Sequence, residues 1–536
     1  MALDILIHGG TVFDGRGTPG VPADVAIQNG RIVAVGNHGA FAGAHVQTRI
    51  DAREKYVAPG FIDIHTHSDR SILINARMES KIRQGVTTEV GGNCGSGVAP
   101  ALGEAIPKPR SGADATQIME DRTWPSLTDY FEAIERAGIA GNFATWAAHG
   151  ILRASAIGYA MRAAKPDEVH HMKTLLRESL EAGAFGLSTG LIYVPSGYAD
   201  TDEIIALADV VREYGGAYAS HIRDEGSGLA GAVEEAVEVG RRASVPVQIA
   251  HHKAAGKANW GKVEQSLALM ERARSDGVDV ACDQYPYVAS STGLSSILPT
   301  WALEGGRDRL ATRLQDPAQR ARIRAEMAES RPDRVTLEPE SAWHDILIAN
   351  CRSDRSLQGR RIAEIAVERG EDPFPVTFDL LVENGGFVGC VFFTMSEADV
   401  RTVMRWPHTM IGSDASSTAP YGPLGESRPH PRAYGTFTRV LGHYVREDHV
   451  LTWPEAIRKM THLPASRLNL RDRGTLAEGQ WADVVVFDPR LVSDRATFAE
   501  PHQYSGGIEH VLVNGVPVVY CGEHTGARAG RVLRRP

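Results

Sequence analysis

Two kinds of hydrophobic pattern share this chain, and they divide it into ends and middle. Near the N-terminus, DVAIQNGRIVAVG (24–36) is two runs of alternating apolar and polar residues joined by Asn29-Gly30, a strong two-residue hairpin signal. Near the C-terminus, ADVVVFD (482–488) precedes EHVLVNGVPVVY (509–520), where Asn514-Gly515 serves the same purpose. Neither end alone has enough strands to close a core. The pattern therefore predicts one small β-sandwich domain built from both termini, residues 1–60 and 474–536.

Between these ends, short apolar runs alternate with helical periodicity. The runs are FIDI (61–64), TTEV (87–90), NFATWA (142–147), AFGLS (184–188), AYAS (217–220), VQIA (247–250), VDVACD (278–283) and MIGS (410–413). Helical patterns cover 202–214, 228–242 and 263–276. Strand–helix alternation predicts parallel βα units, and eight strands are what a (β/α)8 TIM-like barrel needs. The expected fold class is α/β, with the barrel over 61–473. FVGCVFF (387–393) is a ninth strand candidate, and the pattern does not say which of the nine lies outside. Residues 286–345 are too long for a simple βα loop and predict an insertion late in the barrel, of the kind that forms a lid.

Composition narrows the function. With 43% hydrophobic and 23% charged residues, the chain can bury a sizeable core. A formal net charge of −9 argues against a nucleic-acid surface, which needs a concentrated basic face. The one basic run, Arg528 to Arg534, reads as a solvated tail. Five scattered cysteines make no disulfide framework and suit a reducing compartment. MALDILIHGGTVFDG lacks the basic start of a signal peptide, and no run approaches the ~18 apolar residues that span a bilayer. A cytoplasmic protein with no membrane or nucleic-acid partner is expected.

Five of the proposed strands end in a residue that can bind metal or move protons. These are His65-Thr66-His67, Cys94, His221, His251-His252 and Asp414. Loops after barrel strands converge on one face, so these distant residues become neighbours. His65 and His67 are two apart on an extended segment and point to the same side. Cys94 lies in GGNCG, where glycines allow unusual backbone angles. Cys282, Cys351, Cys390 and Cys521 read instead as small buried hydrophobes. His251 and His252 are adjacent, so only one faces the site, and periodicity does not choose. Thiolate and imidazole donors select zinc. Zinc with an open position acidifies water and polarises a carbonyl, while a nearby carboxylate moves the proton. Asp414, in IGSDAS, is the candidate for that role.

The motifs APGFIDIHTHSD, EVGGNCG, GLSTGLIYVPSGYA, SHIRDE, AHHK, DQYPYVAS and IGSDAS are followed by PHPRAYGTF and IRKMTHLPASRLNL. In this order, over nearly the whole chain, they resemble the D-aminoacylases (N-acyl-D-amino-acid deacylases) of the amidohydrolase superfamily. The resemblance implies zinc-dependent hydrolysis of N-acyl-D-amino acids, with Asp414 catalytic. It implies one zinc held tightly by Cys94, His221 and His251, and a second, weaker or adjacent metal position at His65 and His67. It selects His251 over His252. Many superfamily members bridge two metals with a carboxylated lysine after the fourth strand. FGLSTG has no lysine there, which leaves the bridging place to Cys94. Tyr193, Lys253 and Ser290 are implied to hold the substrate α-carboxylate, a task suited to a cation and hydroxyls. His149 and Arg223 are further pocket candidates. A relative that cleaves a cyclic imide, lactam or isopeptide is the alternative.

Overall fold

The computed structural model describes residues 2–107, 122–327 and 342–536. All eight segments of the central pattern hold strands. We number them β1 (Phe61–Asp63), β2 (Val86–Gly91), β3 (Asn142–Thr145 and Ala147–Ala148, either side of Trp146), β4 (Gly186–Gly190), β5 (Ala217–His221), β6 (Val247–Ile249), β7 (Val280–Gln284) and β8 (Thr409–Ile411). The order β1-β2-β3 is parallel, and β3-β4-β5-β6-β7-β8 continues it. A parallel bridge between Thr66 and Ala415 brings the end of β8 back to the end of β1. This parallel arrangement fits a barrel.

The predicted helices follow from their caps and faces. Thr201–Glu213 starts where the Asp200 side chain accepts the Glu203 N–H at 2.8 Å, and it buries Ile204, Leu207, Ala208 and Val211 toward the strands. Leu229–Ala243 and Val263–Ser275 bury equivalent apolar stripes. Among the described residues, no helix is long and apolar enough to cross a membrane.

Strands from both termini share one nine-stranded sheet. The joint is Val484–Phe487 running antiparallel to Tyr56–Pro59, with Ile5, Val25, Ile27, Val57, Val484 and Leu512 in one buried cluster. Asn29-Gly30 and Asn514-Gly515 both have positive φ, as a two-residue hairpin turn requires. The two turns touch: a Cβ on Gly30 would meet the Asn514 carbonyl oxygen at 2.7 Å.

The ninth candidate strand belongs to another body. Gly389–Phe392 pairs antiparallel with Ser290–Gly293 and Ile346–Asn350, outside the parallel set. A separate apolar cluster runs from Leu294 to Phe392, so the excursion between β7 and β8 extends past the expected limit at 345. Residues 328–341 of that expected insertion lie outside the described residues.

Two smaller expectations are corrected. The basic run near the C-terminus is docked. Arg528 donates to the Ala137 carbonyl at 2.8 Å, Arg534 pairs with Glu135 at 2.8 Å, and Leu533 is buried with Ile62 of β1, Ala144 of β3 and Phe185 just before β4. Val532 and Leu533 supply apolar anchors that the charge count conceals. Cys282, Cys351 and Cys390 are buried, but Cys521 is exposed, in a left-handed turn beside Gly522.

Candidate metal centre

The C-terminal ends of β1, β2, β5, β6 and β8 deliver two overlapping groups of donor atoms. Cys94, His221 and His251 offer ligand atoms within 4.8 Å of one another, and so do His65, His67, Cys94 and Asp414. Cys94 is common to both. Its Sγ lies 3.4 Å from His251 Nε2 and 3.2 Å from His65 Nε2. His221 Nδ1 faces His251 Nε2 at 2.7 Å. On the other side, Asp414 Oδ1 is 3.0 Å from His67 Nε2 and 3.5 Å from His65 Nε2. His67 is the half-exposed member, and the others are buried. The structure thus brings together all six residues expected to act on metal and proton.

Electrostatics show what this cluster can hold. Burial raises the Cys94 thiol pKa, but the charges of His65 and His251 and hydrogen bonds from His221 and His251 overturn that and leave it well below its ordinary value. Burial and Lys253 oppose a proton on His251, yet Cys94, Glu225 and Asp414 together raise its pKa to about 9. Two imidazole lone pairs cannot face each other at 2.7 Å without a proton or a cation between them. A thiolate and two imidazoles around one point form a soft donor set that fits zinc, with protons released as it binds. His221 Nε2, buried and without a hydrogen-bond partner, makes no competing claim on that ring.

Carboxylates behind the histidines set their orientation. Asp283, on β7, accepts the His251 backbone N–H at 2.8 Å and faces His65 Nδ1 at 2.9 Å through the same oxygen. Glu225 Oε1 lies 3.0 Å from His251 Nδ1. Each carboxylate favours the tautomer that turns Nε2 toward Cys94. His252 points away, to Ser266 Oγ at 2.8 Å.

The residues expected to hold substrate are placed unevenly. The Tyr193 ring packs edge-on against His221, with centroids 4.9 Å apart, and its hydroxyl meets Thr292 Oγ1 at 2.9 Å. Lys253 is buried beside His251, 2.8 Å from Nδ1, and is paired with Glu225. Ser290 opens the antiparallel strand whose next residue, Ser291, accepts from Arg432 at 3.2 Å. The other two pocket candidates are engaged elsewhere. His149 sits between Ser196 Oγ at 3.0 Å and Glu203 Oε1 at 2.9 Å. Arg223 pairs with Glu235 and donates to the Gly197 and Ala199 carbonyls.

Sequence reasoning missed Arg432. Its guanidinium lies 3.0 Å from Asp414 Oδ2 and 4.5 Å from the Tyr285 ring centroid, and its Nε is buried without a hydrogen-bond partner. It also missed Glu225, Asp283 and Tyr285, although SHIRDE and DQYPYVAS contain them. For Glu225, an acidic residue just beyond the end of β5, that position was the signal available; Asp283 lies within β7 and carries no such mark.

Matching the architecture, residues 48–519 fit the amidohydrolase family, and the chain belongs to it. It is 38% identical over 532 residues to a D-aminoacylase of Alcaligenes xylosoxydans xylosoxydans, covering 99% of this chain and 98% of that one. An N-acyl-D-glutamate deacylase of the same organism is 39% identical over 534 residues, with 99% and 97% covered. Among solved structures, the N-acyl-D-glutamate deacylase of Bordetella bronchiseptica, complexed with zinc and a phosphonate mimic of the tetrahedral intermediate, is 36% identical. It superposes with a TM-score of 0.82 over 100% of both chains.

Proposed function

We propose that this protein hydrolyses the amide bond of N-acyl-D-amino acids, giving a carboxylate and a free D-amino acid. The observation that carries the reading is the convergence of Cys94, His221, His251 and Asp414 at one end of the parallel strands, in a chain 38% identical to a D-aminoacylase over 99% of its length. We assign the (β/α)8 barrel to 61–473 and a small β-sandwich domain to 1–60 with 474–536. Cys94, His221 and His251 would hold one zinc ion tightly, with His65 and His67 forming a weaker position. When bound, zinc supplies Lewis acidity at the scissile carbonyl and lowers the pKa of water.

The chain's own residues do the rest. Burial alone would raise the Asp414 pKa, but Arg432, His251 and His65 hold it well below the usual carboxylate range, so the group is ionised and free to accept a proton, while the same charges weaken it as a base. Asp414 takes a proton from the attacking water and delivers it to the leaving nitrogen, closing the proton balance of hydrolysis. Arg432 keeps that carboxylate aimed. Lys253 and the hydroxyls of Tyr193 and Ser290 bind the substrate α-carboxylate, with Tyr193 placed against His221 to fix its distance from the metal ligands.

Paired N-acetyl-D and N-acetyl-L amino acids test the reading, beside zinc content of the purified protein. Hydrolysis of the D forms, lost on chelation and restored by zinc, is expected. Equal turnover of both enantiomers, or full activity in metal-free protein, would overturn it.

A further inference from the structure

β1 and β8 are neighbours, yet they share no ladder. The connection consists of the Thr66–Ala415 bridge, the Asp414 N–H to the His65 carbonyl at 2.8 Å and the His67 N–H to the Ala415 carbonyl at 3.4 Å. A fully buried ion pair fills this seam. Lys81 Nζ donates to Asp63 Oδ2 on β1 at 2.9 Å, to Ser413 Oγ and to the Ala415 carbonyl at 3.0 Å. The other Asp63 oxygen accepts the Ser413 N–H at 2.8 Å. Both residues that flank Asp414 are therefore anchored by one pair, and Asp414 itself sits at φ +50°.

A pair this buried is a poor stabiliser, because desolvation cancels most of its attraction and packed apolar residues would do as well. Its geometry serves another end. A regular ladder would hold Ser413–Ala415 extended. Side-chain anchors let the backbone turn left-handed between two fixed points, which turns the carboxylate toward His67 and Arg432. We propose that Lys81 and Asp63 are positioning residues for Asp414, acting through Ser413 and Ala415. The proposal rests on the reading of Asp414 as the proton-moving group.

The test is a double-mutant cycle in the zinc-loaded full chain. Lys81→Met should retain its zinc and keep KM within about twofold, while kcat falls about 10²-fold, the scale of a misplaced catalytic group. In an Asp414→Asn background the same change should cost nothing further. An equal loss in both backgrounds, loss of zinc, or an effect on KM alone would overturn the proposal. If Lys81→Met does not fold, Ser413→Ala keeps the ion pair and removes one anchor. It should lower kcat several-fold only when Asp414 is present, and a wild-type kcat would overturn the proposal. Asp414→Asn alone examines the underlying reading separately: near-normal kcat there removes Asp414 from the chemistry, whatever the seam does.

Discussion

Glu89 offers a quantitative check on the charges under the site. It stands on β2 and is fully buried; Oε2 accepts from Ser68 Oγ, and Oε1 meets no donor. Burial raises its pKa from an ordinary 4.5 to about 7, although Lys81 and Ser68 pull the other way. Below pH 4.5 the residue is protonated in both folded and unfolded chains. Between 4.5 and 7 the unfolded chain loses the proton and the folded one keeps it, so stability falls as pH rises. At roughly 1.36 kcal/mol per pH unit, that interval amounts to about 3 kcal/mol, fully expressed above pH 7. Glu89→Gln removes the titration. The stability difference between variant and wild type should therefore grow in the variant's favour from pH 5 to pH 8, by up to about 3 kcal/mol. Urea or thermal midpoints of the zinc-loaded proteins measure it, because other titrating groups cancel in the difference. An offset independent of pH would refute the reasoning. A gap that favours wild type above pH 7 would mean that Glu89 is ionised and held by Lys81.

Other expectations concern the metal and the substrate. Cys94→Ala and His221→Ala each leave two protein ligands, fewer than the three usual at catalytic zinc, so elemental analysis should find both largely zinc-free and inactive. His67→Ala should keep its tight zinc; if it loses all zinc while Cys94→Ala retains it, the ligand assignment is wrong. Lys253→Met should raise KM strongly for substrates with a free α-carboxylate and barely alter amide or ester analogues. Equal losses on both would assign Lys253 to holding Glu225 and His251 instead.

Much of this site is legible in the sequence because strands end abruptly in residues with unusual chemistry. HTH after FIDI, CG after VGGN and D after IGS stand out against apolar runs, and parallel topology sends such ends to one face. The ambiguity at His251-His252 is a question of facing, which adjacent residues leave open; in the structure His251 turns to Cys94 and His252 to Ser266. His149 and Arg223 also follow strands, yet they face Glu203 and Glu235, since a strand end fixes position but not side-chain direction. Arg432 lies well past β8, at the start of the helix Arg432–Arg439, where nothing local ties it to Asp414. Lys81 resembles any helix lysine, because burial of its ammonium depends on residues some 330 positions away.

The residues that supply donors were readable and the residues that hold them were not, and backbone strain explains the division. Cys94, His251 and Asp414 have φ of +54°, +35° and +50°, values that cost non-glycine residues about 1–3 kcal/mol each and persist only where neighbours enforce them. Each is braced from another strand. Ser188 on β4 bonds to the Gly92 carbonyl and the Gly95 N–H, on either side of Cys94. Asp283 on β7 takes the His251 N–H. Asp63 on β1, with Lys81, takes the residues around Asp414. The brace in each case is an ordinary polar residue whose partner is a backbone group far along the chain, so no local pattern marks it. A donor can be recognised by its chemistry, whereas a brace is defined only by the bend that it maintains. Substitutions at Ser188 or Asp283 should therefore weaken zinc binding without removing a single ligand atom.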